Sequence, residues 1–362
     1  MVLTSSIGYP LSFSISVRPT QLAGAYITTL LTEHSALRLQ ADGPQLLLQK
    51  TPSVKSGVDA TPEPIKPAEL SGYSIRLFGK PVDGALLYEF CRLIPTDTGI
   101  IASLLQPHPQ LPAGVLIQLT AALSAELQQR LFAFAAEQQI ELVYLDQGVT
   151  LSKPGLLVMD MDSTAISIEC IDEIAALAGV GPQVAAITAR AMNGELDFAA
   201  SLTERVAALK GAPQSVLQRV LDDLPLMPGL TELVSTLQQQ QWRVAIASGG
   251  FTYFTDVLQQ RLALTATFAN VLEIKNGVLT GKVVGDIVDA NTKARAVSLL
   301  AETYGIAACQ TVAIGDGAND LPMLKTAALG VAFHAKPKVQ TAVSARINQG
   351  SLLQLLYLLD PA

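Results

Sequence analysis

From Pro154 onward, three apolar runs each stop at a polar or glycine turn: LLVMD at Leu156–Asp160, RVAIAS at Arg243–Ser248 and TVAIGD at Thr311–Asp316. Stretches with helical periodicity, such as 229–239 and 290–301, lie between them. Short runs rich in β-branched residues that alternate with helices bury both faces of every strand, which is the pattern of a doubly wound parallel sheet. In such a sheet ligands gather at the carboxyl ends of the strands. The polar residues that follow the three runs are therefore expected together in space.

Those residues are unusual. Asp160 and Asp162 close the first run, and Asp316 and Asp320 follow the third. Carboxylates held close together at buried strand ends must be paired, protonated or bound to a cation. Two acidic strand ends in one chain point to a shared metal, and oxygen-only ligands beside a phosphate would suit Mg2+.

Composition limits the alternatives. A chain of 362 residues has room for two or three domains. With 49% hydrophobic and 15% charged residues it is expected to be folded throughout most of its length. A net charge of −7 gives no general attraction to nucleic acid or to an anionic membrane, so a phosphate ligand would need a local positive site. Cys91, Cys170 and Cys309 are widely spaced and form no CxxC pair, and they read as reduced, buried thiols. The opening MVLTSSIGYPLSFSISVRP lacks the basic start and continuous apolar core of a secretion signal, and no run reaches the ~18 apolar residues of a spanning helix. A cytoplasmic protein is expected.

Thr51–Leu70 is rich in Pro, Ser and Lys without apolar period and reads as a linker, so residues 1–70 form a segment whose fold is not assigned. Residues 71–150 follow the order β-α-β-β-α-β: YSIRLFG, a helix over 84–93, GIIASLLQ, GVLIQLT, a helix over 122–138, then IELVYL. That α+β ferredoxin-like order resembles the ACT type of small-molecule-binding domain, and would make the region a regulatory or dimerising module that takes L-serine or forms a homodimer. Residues 151–345 are the α/β core. Two insertions interrupt it: a helical cap over about 166–226, and a segment at 271–288 whose Asn276-Gly277 signals a hairpin. Residues 346–362 are expected as a C-terminal helix.

Four motifs of the core occur in fixed order: DMDSTAI at 160–166, ASGG at 247–250, Lys293, and GDGANDLPM at 315–323. Together they resemble the haloacid dehalogenase-like phosphohydrolases over residues 154–345. Within that superfamily, ECIDEIA after the first motif and GELDFAASLTERVAALKG in the cap are most similar to the phosphoserine phosphatases. The resemblance implies a Mg2+-dependent hydrolase that converts O-phospho-L-serine to L-serine and phosphate, the last step of serine biosynthesis, through an aspartyl-phosphate.

The chemistry can be set beside it. A carboxylate nucleophile splits phosphomonoester hydrolysis into two easier steps, and Asp160, the first acid after the strand, takes that role. Asp162 would protonate the leaving oxygen and then activate water, which requires a pKa raised toward neutrality. By resemblance the metal ligands are the side chains of Asp160 and Asp316 and the backbone carbonyl of Asp162, with Asp320 behind them orienting water or Lys293. Ser248, Gly249, Lys293 and Asn319 would hold the phosphoryl oxygens. Glu169 and Arg205 match the groups that hold the ammonium and carboxylate of phosphoserine, and Met192 and Phe198 match the apolar shield.

Singly, each of these residues has a plainer reading. Ser248 could cap a helix, Lys293 could be one more solvated lysine, and Glu169 and Arg205 could lie on an exposed helix face; their order and placement argue otherwise. His334 reads as a surface or capping histidine. Two other functions stay open: a phosphatase or phosphotransferase for another small phosphate such as phosphohomoserine, and a serine-sensing regulatory protein.

Overall fold

A computed structural model describes residues 14–17, 27–28, 31, 37–42, 45–50 and 72–360. The expected linker lies outside them. The chain divides into two units, one of residues 1–148 with 356–358, the other of 149–355 with 359–362.

In the first unit, strands β1 (Ser14–Val17), β2 (Leu37–Asp42) and β3 (Gln45–Lys50) precede β4 (Ser74–Phe78), α1 (Gly84–Leu93), β5 (Ile100–Leu105), β6 (Gly114–Leu119), α2 (Ala125–Glu137) and β7 (Glu141–Leu145). The β-α-β-β-α-β order is present. All seven strands form one sheet in the order β1-β3-β2-β5-β6-β4-β7, with antiparallel pairing throughout. Helix α2 starts three residues later than its periodicity suggests, because Ser124 stops the chain there: its side chain accepts the Leu127 N–H as an N-cap. Ile75 and Leu77 of β4 pack with Leu87 and Phe90 of α1 and Leu131 of α2 in the core of this unit.

The second unit begins with β8 (Val149–Thr150) and β9 (Leu156–Met159). A π-helical turn at Met161–Ala165 leads into the cap helices α3 (Cys170–Leu177), α4 (Gly181–Met192), α5 (Phe198–Ala208) and α6 (Ser215–Asp222). Then follow α7 (Leu230–Gln239), β10 (Arg243–Phe251), α8 (Thr252–Leu262), β11 (Ala266–Lys275), β12 (Val278–Val284), α9 (Ala290–Thr303), β13 (Thr311–Gly315), α10 (Leu321–Thr326), β14 (Leu329–Phe333), α11 (Pro337–Gln340), β15 (Ala345–Ile347) and, after a 3-10 helix, β16 (Leu359–Asp360).

The sheet order is β12-β11-β10-β9-β13-β14-β15, and every pairing from β11 to β15 is parallel. Strand β9 is central. The chain adds β10 and β11 on one side of it and β13 to β15 on the other, so the topological switch point falls between β9 and β13, where ligands of open α/β sheets bind. All residues of β9, β13 and β14 are buried, as expected for strands covered on both faces. Strand β12 returns antiparallel through Asn276 (φ 53°) and Gly277 (φ 75°). Two consecutive positive φ values make the tight hairpin turn that Asn-Gly favours.

Two expectations are corrected. The described part of the expected C-terminal helix, residues 346–360, holds no α-helix: after Ile347 comes a turn with Gly350 at φ 91°, a 3-10 helix at Leu352–Leu358, and β16, which pairs parallel with β8. Gly350 in the left-handed region and the pairing of Leu359–Asp360 with β8 leave only a seven-residue helix between them, and the leucines in it are buried. The three thiols also differ. Cys91 and Cys170 are buried, but Cys309 is exposed, because it sits on a 3-10 turn whose next residue, Gln310, points inward to bond Thr150. No helix among the described residues is long and apolar enough to cross a membrane.

Candidate active site

Strand β9 makes its last ladder bond at Asp160, whose N–H donates to Ile314 O at 3.0 Å. Beyond it the backbone leaves the sheet in the π turn, with Ser163 at φ 55°. The turn sends the two acids different ways. Asp160 points to the sheet side: its carboxylate accepts the Met161 N–H at 2.7 Å and lies 2.8 Å from Lys293 Nζ. Asp162 points to the cap: it accepts the N–H of Cys170, the first residue of α3, at 3.1 Å.

Lys293 is placed by the start of α9, where Asp289 caps the helix. Its ammonium, 1% exposed, bridges Asp160 Oδ1 and Asp320 Oδ1, each at 2.8 Å. The two carboxylates hold its proton more firmly than usual, against the opposing effect of burial. The second oxygen of Asp320 accepts the Gly317 N–H at 2.9 Å. Asp320 comes this close to β13 only because residue 315 is glycine, since a Cβ there would lie 2.6 Å from Asp320 Cγ.

Asp162 and Asp316 have no ion pair with Lys293. Burial first, and the Glu169 charge second, push Asp162 up to about 7, against the pull of the Cys170 N–H. Burial, then Asp320 and Glu169, raise Asp316 to about 6, while Thr164 Oγ1 donates to it at 3.3 Å. Asp160 is raised well above the usual carboxylate range by burial and by Asp320, with Lys293 opposing. Carboxyl oxygens of Asp160, Asp316 and Asp320 lie within 4.8 Å of one another. This hard, oxygen-only, electron-rich set fits a divalent cation.

That arrangement fixes a pH dependence. Asp162 and Asp316 hold protons in the folded protein at pH values where they are ionised in the unfolded chain, so without a cation stability falls as pH rises from about 4 through about 7. A divalent cation held by Asp160 and Asp316 would replace the Asp316 proton and leave the Asp162 side chain to titrate. Thermal unfolding with and without Mg2+ is expected to show a larger stabilisation at pH 8 than at pH 5; equal or reversed shifts would count against a cation at these acids.

A cavity of about 110 Å³ opens beside them. Nine of the twelve expected site residues line it: Asp160, Asp162, Asp316 and Asn319 from the ends of β9 and β13, Ser248 and Gly249 from β10, and Glu169, Phe198 and Arg205 from the cap. Lys293 and Asp320 sit directly behind Asp160. Phe198 covers Gly249 so closely that a Cβ on residue 249 would be 2.6 Å from its ring. Arg205 is half-buried, and desolvation lowers its pKa against the upward pull of Asp172, Glu169 and Asp162. Glu169 accepts a 2.7 Å hydrogen bond from Ser163 Oγ.

Met192 departs from expectation. It is 69% exposed and is not part of the cavity wall. It ends α4, whose buried face is Val184 and Ile187; five residues beyond Ile187 it has turned about 140° away from that face. Ile171, Leu202 and Phe251 supply apolar wall instead. Their apolar spacing on α3, α5 and the end of β10 marks them as core, and nothing in the sequence separates lining from core. Thr164 was likewise missed, hidden inside the first motif. His334 is exposed and stacked on Phe333, outside the site.

A central strand ending in two acids, a buried lysine bridging carboxylates and a serine-glycine loop beside them define a phosphotransfer site on a doubly wound sheet. Residues 155–328 match the haloacid dehalogenase-like hydrolase family. The phosphoserine phosphatase of Haemophilus influenzae is 56% identical over 227 residues, which cover 63% of this chain and 72% of that protein. Among solved structures, the unliganded probable phosphoserine phosphatase from Vibrio cholerae is 41% identical with a TM-score of 0.67, covering 80% of this chain and 87% of that one. A substrate-bound phosphoserine phosphatase complex is 37% identical with a TM-score of 0.55, covering 57% of this chain and 99% of that one. The chain belongs to the haloacid dehalogenase-like hydrolases, within their phosphoserine phosphatase branch.

Proposed function

We propose that the chain hydrolyses O-phospho-L-serine to L-serine and phosphate. The observation that carries this reading is one cavity with Asp160 and Asp162 on one wall and Glu169 and Arg205, of opposite charge, on another. The first pair serves the phosphoryl group, and the second matches the ammonium and carboxylate of an amino acid.

Asp160 attacks the phosphorus, and the serine oxygen leaves with a proton from Asp162. Asp162, now ionised, takes a proton from water, which cleaves the acyl phosphate and frees Asp160. A group at about 7 can do both near neutral pH. Lys293 holds Asp160 in place and offsets its charge, while Ser248, the Gly249 N–H and Asn319 would cradle phosphoryl oxygens, a role supported by their lining the cavity. The side chains of Asp160 and Asp316, with the Asp162 carbonyl, would hold Mg2+, which when bound supplies positive charge to the phosphoryl group. Phe198 and Leu202 keep bulk water from the reacting atoms.

The N-terminal unit would act as an ACT-like module that pairs two copies or takes L-serine, a reading supported by its β-α-β-β-α-β order and antiparallel sheet. A monomeric full-length protein in sedimentation that gives no heat with L-serine would remove both roles.

The test of the catalytic reading is phosphate release from L-phosphoserine against phosphothreonine, phosphohomoserine, a sugar phosphate and an aryl phosphate, with Mg2+ or chelator. A chelator-sensitive preference of about a hundredfold for phosphoserine, ~2.7 kcal/mol, is expected. Arg205→Ala should raise KM for phosphoserine ten- to a hundredfold, on the order of one buried charge-assisted bond, with little change for the aryl phosphate. Equal activity on all five, or equal effects of Arg205→Ala on both esters, would remove phosphoserine as the substrate.

A further inference from the structure

The parallel ladder between β10 and β11 is broken over the site. Ala247 pairs with Phe268, but the next pair is Phe251 with Asn270, so Ser248, Gly249 and Gly250 bulge opposite one residue of β11. A bulge re-aims side chains and takes backbone groups out of the ladder. Here a side chain takes over: Asn270, 1% exposed, donates from Nδ2 to Gly249 O at 2.8 Å.

The orientation of that amide is fixed. Its Oδ1 accepts the Val288 N–H at 2.9 Å. A backbone N–H can only donate, so the oxygen must face Val288 and the NH2 must face Gly249. The Gly249 carbonyl shares its peptide unit with the Gly250 N–H, which donates to Ser248 Oγ at 2.9 Å. With one lone pair of Ser248 thus engaged from behind, its hydroxyl proton is left to point into the cavity that Ser248 lines.

We infer that Asn270, which does not line the cavity, is a positioning residue that sets Ser248 as a hydrogen-bond donor to the phosphoryl group through the Gly249–Gly250 peptide. The chain of donors runs one way, from Asn270 Nδ2 to the Gly249 carbonyl, and from the Gly250 N–H to Ser248 Oγ. Each member polarises the next. Asn270 also ties the phosphate loop to the start of the β11–β12 hairpin, whose Leu279 exchanges backbone hydrogen bonds with Gly211 and Ala212 at the end of the α5 segment. The inference rests on Ser248 and Gly249 as the phosphoryl cradle proposed above.

The test uses the full chain with an aryl phosphate, so that it stands whether or not phosphoserine is the substrate. Asn270→Asp keeps the shape and the bond to Val288 but places a carboxylate oxygen against the Gly249 carbonyl; Asn270→Ala removes both bonds without adding charge, and serves if the aspartate variant does not fold. Either is expected to lower kcat/KM at least tenfold and to weaken competitive inhibition by inorganic phosphate to a similar degree. In a Ser248→Ala background the same change should cost less than twofold, because the group it acts through is gone. A merely structural role would give the same fold-loss in both backgrounds. That result, or unchanged phosphate inhibition, would overturn the inference; failure of phosphoserine as a substrate would not affect it.

Discussion

Asp160→Asn is expected to abolish turnover while leaving the protein folded. The amide keeps the shape of the side chain and can still accept the Met161 N–H and the Lys293 ammonium, each made by Oδ1 in the native chain. It cannot form an acyl phosphate. Loss of a nucleophile with the surrounding site intact should reduce kcat/KM by at least four orders of magnitude, ~5.4 kcal/mol at 1.36 per decade. Stability should not fall: burial and Asp320 already raise Asp160 well above the usual range, so the native carboxylate is held at a cost that the neutral amide avoids. The measurement is steady-state phosphate release together with the thermal midpoint. Sustained hydrolysis by a clean variant of normal stability would remove Asp160 as the nucleophile.

Asp160 was legible because chemistry and topology agree on it. A buried strand is apolar throughout, so an acid at its carboxyl end stands out, and the β-then-α alternation says where that end must lie. The same reasoning located Ser248 and Asp316. The Asn276-Gly277 hairpin was legible because two positive φ values call for those residues. What escaped depends on packing rather than pattern. The exposure of Met192 follows from which face α4 buries, and several helix registers would have suited its sequence equally. Asn270 works across 21 residues, through a bulge that no periodicity records. Residues 352–358 form a short 3-10 helix between Gly350 and β16, and a leucine run buried on all sides carries no periodicity that tells one helix type from another.

Lys293→Met should be the most damaging change to the fold among the site residues. The lysine is 1% exposed and stands between Asp160 and Asp320, which are 5% and 0% exposed. Methionine fills much of the same space but leaves two buried carboxyls without their cation. Breaking a buried pair in this way costs roughly 3–5 kcal/mol, most of it the penalty of the stranded charge.

The cost should depend on pH, with a sign that identifies its origin. Stranded carboxyls are neutralised by protons in the folded protein at pH values where they are ionised in the unfolded chain. The folded state then binds more protons, so stability falls as pH rises. In chelator, denaturant unfolding should therefore show the deficit of Lys293→Met growing from pH 5 to pH 8. Adding Asp320→Asn removes one stranded charge and should recover much of the stability, yet not the activity, since the group that steadies Asp160 and offsets phosphoryl charge stays absent. A deficit independent of pH would mean that Lys293 stabilises by packing its stem, and recovery of turnover in the double variant would mean that its charge has no part in the reaction.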